Sequence, residues 1–101
     1  MFVHIVFWRL REDSPNGRSK RENALELKQR FEALRGLIPG ITRCDVGLNV
    51  DTSADACDVA LYSEFESRAA FEDYPPHPAH QAIVAFLKDV RTERRVVDYE
   101  S

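Results

Sequence analysis

Phe2-Val3-His4-Ile5-Val6-Phe7-Trp8-Arg9-Leu10 is the stretch that decides how this chain folds. Alternation along it puts Phe2, His4, Val6, Trp8 and Leu10 on one side of a β-strand and Val3, Ile5 and Phe7 on the other. Both sides are apolar, so both must be covered. A small chain can lay its own helices over one side of a sheet, and the second side then needs another cover.

Downstream the pattern changes period. Ser14-Pro15-Asn16-Gly17 reads as a loop, and Ser19 with Glu22 fits a capping box. Ala24, Leu27, Phe31, Leu34 and Ile38 then recur at helical spacing until Pro39-Gly40 ends the run. Ile41 to Val50 reads as a strand with Cys44, Val46, Leu48 and Val50 inward, and Cys57 to Phe65 as another with Cys57, Val59, Leu61, Ser63 and Phe65 inward. The polar connector over residues 51 to 56 makes these two a hairpin. Ser67 caps a short helix carrying Ala70, Phe71 and Tyr74, Ala79 to Val90 is a further helix, and Arg95 to Tyr99 is a closing strand.

The resulting order, β-α-β-β-α-(α)-β, predicts an α+β, ferredoxin-like domain spanning 1–101, with a four-stranded antiparallel sheet and helices on one face. That leaves Val3, Ile5, Phe7, Ala60 and Tyr62 without intramolecular cover. A second copy of the chain is the economical cover, so a homodimer is expected with Val3, Ile5, Phe7 and Tyr62 at its interface.

Composition excludes several classes of function. A net charge of -3 supplies no surplus of cations for phosphate backbones, and Arg18-Ser19-Lys20-Arg21 is offset by Glu22 and Glu26, so no nucleic-acid partner is expected. The apolar amino terminus has no basic leader, contains His4 and Arg9, and is too short to span a bilayer, so neither secretion nor a membrane partner is expected. Cys44 and Cys57 form no C-x-x-C pair and read as small core residues in a cytoplasmic protein.

Chemistry concentrates in Asp73-Tyr74-Pro75-Pro76-His77-Pro78-Ala79-His80-Gln81. Pro75 and Pro76 cannot continue a helix, whereas Pro78 suits the first turn of the next, which makes His77 its cap. His80 shares a face with Ile83, Val84 and Leu87 and therefore turns toward the core. Parity and spacing predict that His4, Tyr74 and His80 converge on a cavity lined by Val6, Trp8, Leu61, Ser63, Phe65 and Leu87. Trp8, Phe31, Phe71 and Phe86 are first of all core residues that can also stack on an aromatic ligand. A metal site from His4, His77 and His80 is disfavoured, because the latter two point to different sides of one helical turn with no carboxylate at ligand spacing.

The chain resembles the stress-responsive dimeric α/β-barrel (Dabb) family over nearly its whole length. The matching segments are Val3 to Leu10, Leu37-Ile38-Pro39-Gly40-Ile41, Val46-Gly47-Leu48-Asn49, Glu64-Phe65-Glu66 with Phe71 and Tyr74, His77-Pro78-Ala79-His80-Gln81, and Val96-Val97-Asp98-Tyr99. The resemblance implies two subunits packed sheet to sheet, with a mostly apolar pocket between sheet and helices in each. In the plant polyketide cyclase branch, which uses no cofactor, the working residues correspond by position to His4, Tyr74 and His80; that branch also uses a tyrosine in the first helix, where this chain carries Leu and Phe. Two readings follow. One is a stress-type barrel that binds a small apolar or aromatic molecule without turnover. The other is a cofactor-independent cyclase, isomerase or monooxygenase in which His80 is the base, Tyr74 the oxyanion donor and His4 the orienting group.

Overall fold

The structure, a computed structural model, describes residues 1–101. Its elements are β1 (Phe2–Leu10), α1 (Lys20–Ala33), a single 3₁₀ turn (Leu34–Gly36), β2 (Ile41–Leu48), β3 (Val59–Phe65), α2 (Arg68–Glu72), α3 (Pro78–Val90) and β4 (Arg91–Glu100). The strands form one antiparallel sheet in the order β2-β3-β1-β4, which is the expected α+β, ferredoxin-like topology. β1 is central, and its Phe2, Val6, Trp8 and Leu10 join Leu27, Phe31, Leu61, Ile83 and Leu87 in one buried cluster between the sheet and the helices.

Local chemistry sets the element boundaries. The Ser19 hydroxyl accepts from Glu22 N–H at 3.1 Å while the Glu22 carboxylate accepts from Ser19 N–H at 2.9 Å, so α1 begins with two otherwise orphan donors satisfied. Buried Asn23 accepts from the Asn16 side-chain amide at 2.9 Å and pins the preceding loop to the helix. The helical run was expected to continue to Ile38; instead it tightens after Ala33, with Leu37 and Ile38 both donating to Leu34 O. Gly40 is required where it stands. Its φ is 88°, and a Cβ there would meet the Ala70 Cβ at 2.7 Å, so only glycine lets β2 start against α2.

Three strand boundaries and one surface assignment differ from the sequence expectation. β2 ends at Leu48, and Val50 is 95% exposed, because Asn49, Asp51 and Ser53 hydrogen-bond among themselves and draw the chain out of the ladder. β3 begins at Val59, not Cys57: Asp58 is the last residue bonded to both neighbours, its carbonyl accepting from Asn49 N–H at 3.0 Å and its N–H donating to Trp8 O, while its carboxylate accepts from Leu10 N–H at 2.7 Å and occupies the β1 donor that an earlier residue would pair with. β4 starts four residues before Arg95, since pairing with β1 runs from Phe2 opposite Glu100 to Leu10 opposite Arg91 despite the charged composition of its first half. Val3 is also corrected. Flanked in register by Glu64 and Tyr99, it is 1% exposed and already covered within one chain, whereas Ile5 and Tyr62 are half-buried and Phe7 is 40% exposed.

Candidate active site

Each candidate side chain is held by a separate local device. His4 lies in the middle of β1, where its register partner on β4 is Asp98, and its Nδ1 donates to Asp98 Oδ1. An ionised carboxylate can only accept, so the proton sits on Nδ1 and the lone pair on Nε2. Tyr74 follows α2 at the turn that Pro75 and Pro76 impose, and is 2% exposed. His77 caps α3 through its Nδ1, which accepts from Ala79 N–H at 3.0 Å, with Pro78 in the first turn. One turn further in, His80 Nδ1 lies 3.0 Å from Pro75 O. A carbonyl also only accepts, so His80 likewise carries its proton on Nδ1 and its lone pair on Nε2.

Three of these groups, but not His77, meet at one cavity of about 330 Å³ between the sheet and α3. His4, Tyr74 and His80 line it together, with Val6, Trp8, Leu61 and Leu87 beside them. The Tyr74 ring centroid is 4.3 Å from that of His80 and 5.9 Å from that of His4. Ser63 and Phe65, expected in the lining, lie outside it. Ser63 turns its hydroxyl onto His4 O at 2.9 Å and is consumed in tying β3 to β1, while Phe65 is packed edge-on against Phe71 and Tyr74. The lining also contains Phe31, Val84, Arg91 and Arg94, which were not assigned to it from the sequence.

Burial sets the charge states. Desolvation lowers the pKa of His4 below the ordinary imidazole value, overcoming the opposing hydrogen bond and charge of Asp98. Desolvation also lowers that of His80, against the pull of Pro75 O, with the charges of His4, Arg94 and His77 adding to the effect. Both rings are therefore neutral at pH 7. The Tyr74 phenol is pushed well above its usual value by burial and stays protonated. Burial likewise pushes the Cys44 thiol up to about 12, and its Sγ–H donates to Phe31 O, which makes it an inert core group. No three His, Cys, Asp or Glu side chains come together as a metal-ligand set.

Comparison with known proteins matches residues 2–101 to the model of the stress responsive A/B barrel domain. The chain belongs to this Dabb family. An uncharacterized protein of Streptomyces coelicolor is 31% identical over 100 residues, covering 99% of both chains. A crystal structure from Bacteroides fragilis, described as a dimeric protein of unknown function with a ferredoxin-like fold, is 35% identical with a TM-score of 0.79, covering 99% of this chain and 95% of that one. A putative antibiotic biosynthesis monooxygenase from Nitrosomonas europaea shares the fold at 22% identity and a TM-score of 0.76, covering 100% of this chain and 98% of that one. A Dabb chain can thus share its fold with proteins of different description, and function has to be argued from the cavity.

Proposed function

We propose that this Dabb protein is a homodimer in which each cavity binds a small aromatic molecule and moves a proton on it without a cofactor. His80 would be the base, with Tyr74 as hydrogen-bond donor to the oxygen that gains charge and His4 orienting the substrate. The observation that carries this reading is the pair of neutral imidazoles whose Nδ1–H groups are both engaged, one by Asp98 and one by Pro75 O, so that each keeps a basic Nε2. A general base needs both a free lone pair and a pKa near or below the working pH, and His80 has both. A protonated, buried phenol 4.3 Å away, ring to ring, is suited to donate to an enolate oxygen. At about 330 Å³ the cavity is at the small end for ligand sites, which suits one aromatic ring with short substituents.

The dimer is supported by Ile5, Phe7, Val97 and Tyr99, which leave the sheet face away from the helices partly apolar and open, and by the dimeric state described for the Bacteroides fragilis relative. A cytoplasmic location is favoured by two free cysteines. No helix is long and apolar enough to cross a membrane. The reading is tested by NMR in D₂O with 1-phenylbutane-1,3-dione, whose C–H acid exchanges by base catalysis. The protein should accelerate exchange saturably over buffer, and His80→Ala should remove about 10²- to 10⁴-fold of that rate. Exchange no faster than buffer, or equal in His80→Ala, would reject His80 as a base and leave the binding reading without turnover.

A further inference from the structure

The open sheet face is not flat. Cross-strand partners share a face, and one row of them runs across all four strands: Gly47, Ala60, Phe7 and Arg95, from β2 to β4. At its β2 end the row dips. Gly47 and Ala60 floor a hollow of about 330 Å³, walled by Phe7 on one side and by Asp51 and Cys57 of the connector on the other. At its β4 end the row rises in the long side chain of Arg95, which is 71% exposed.

Nothing in the chain itself asks for the hollow. A Cβ built at Gly47 meets no atom within 4 Å, and the backbone there has no positive φ. Glycine weakens a strand interior, and where neither turn nor bulge requires it, it marks a place that another group approaches closely. Asp51 on the rim is also incomplete: its carboxylate accepts from the Ser53 N–H at 3.0 Å and hydroxyl at 2.9 Å but pairs with no cation of the chain. Arg95 is the loose cation of the same face. Its carboxylate partner, Glu93, stands 3.8 Å away and is shared with Arg9. Arg9 and Arg43 are better held, Arg9 by donating to Ala54 O at 2.7 Å and Arg43 by donating to Asp45 at 2.6 Å while lying over the Tyr62 ring.

We infer that a second copy of the chain seats its Arg95 in this hollow, against Asp51, so that the two sheets meet with the β4 edge of each over the β2 edge of the other. This rests on the proposal that the protein is a homodimer joined by this face, and goes beyond it by fixing how the copies are turned. The two-fold axis between two facing sheets runs either along the strands or across them. Along them, rows stay in step while strand order reverses, so the partner's Arg95 arrives over Gly47 and Ala60, and projection and hollow fill each other twice. Across them, β2 lies over β2 and the rows reverse about Ile5, which brings the already engaged Arg43 of the partner subunit to the hollow and leaves both Arg95 side chains outside it. An arginine stem covers the apolar floor well, and its planar fork matches a carboxylate at the rim.

The test uses the native Cys57 in the hollow wall. Arg95→Cys, treated with a short bismaleimide, should give a covalent dimer on a denaturing gel, and Arg95→Cys combined with Cys57→Ser should give none, since Cys44 is buried. Arg43→Cys, at the position the other axis would bring there, should give none either. Gly47→Leu should fold as the parent by circular dichroism, because its own chain leaves room for the side chain, and should raise the dimer dissociation constant in sedimentation about tenfold or more, as an overpacked contact does. Linking through Arg43→Cys, or a parent dimer in which Arg95→Cys fails to link or Gly47→Leu associates unchanged, overturns this arrangement and leaves the homodimer standing. A parent protein that sediments as a monomer overturns both.

Discussion

His4 and Asp98 sit directly opposite each other on β1 and β4, joined by a hydrogen bond from Nδ1 to Oδ1 that crosses from the central strand to the edge strand. The bond fixes the His4 tautomer and the orientation of its ring toward Tyr74, and it satisfies a donor on a residue only 5% exposed. Asp98→Ala should leave that donor without its partner and cost about 1 kcal/mol in chemical denaturation, since water can reach the vacated position through a partly open edge. The same variant should lower the His4 pKa further, because Asp98 is the group that raises it. Histidine Hε1 resonances followed through a pH titration check this, and an unchanged His4 midpoint would refute it.

One buried and one half-buried neutral imidazole make stability depend on pH in a definite direction. His4 and His80 both have folded-state pKa values below the ordinary imidazole value of 6.5. In acid the unfolded chain therefore binds more protons than the folded one, and unfolding is favoured as pH falls. The contribution is fully present above pH 6.5, and it is lost progressively as pH drops from 6.5 through the folded-state values. Melting temperature should fall between pH 7.5 and 5.5, and His4→Gln should flatten that dependence. A flat profile in the parent protein would contradict the assigned neutral state.

The sheet order, both long helices and the meeting of His4, Tyr74 and His80 at one cavity follow from parity and helical spacing, because these residues lie on elements whose buried faces repeat regularly. What was not legible came from the edge strand. Arg91 to Arg95 reads as charge with no strand alternation, yet backbone pairing with β1 extends β4 through it, and only that register places Arg94 beside Trp8 and Asp98 beside His4. Counting parity backwards from Val96 would have placed Arg94 on the inner face. Ser63 failed for the opposite reason: its parity was inward, but its hydroxyl is used up by His4 O before reaching the cavity. Val3 was misassigned because parity tells which side of a sheet a residue occupies, and not whether neighbours such as Tyr99 already cover it.

His80→Ala separates a base from a structural tie. A structural role for His80 would be to fasten α3 to β1 through His4, but His80 bonds Pro75 O, only five residues back, and Gln81 Nε2 donates to the same carbonyl at 2.6 Å. Removing the imidazole therefore leaves the carbonyl satisfied, and a solvent-accessible bond of this kind is worth at most about 1 kcal/mol. The melting midpoint of His80→Ala should stay within a few degrees of the parent while base-catalysed exchange collapses. A large fall in the midpoint with exchange retained would show a structural role instead.

The open sheet face sets the last expectation. Ile5 lies at the centre of β1 between Tyr62 and Val97, with Phe7 next on the same face, so the apolar strip runs across three adjacent strands. Val3 adds nothing to it, being covered already. The energetic weight of an interface should therefore fall on Ile5 and Phe7. Light scattering should give twice the chain mass of 11.6 kDa at micromolar concentration. Ile5→Lys would bury an unpaired ammonium in a paired assembly, a change that costs several kcal/mol, and should yield monomer or aggregate. Val97→Lys, nearer the sheet edge where the ammonium can reach water, should weaken association less. A parent protein that stays monomeric, or an Ile5→Lys variant that dimerises as well as the parent, would show that this face is not where two copies meet.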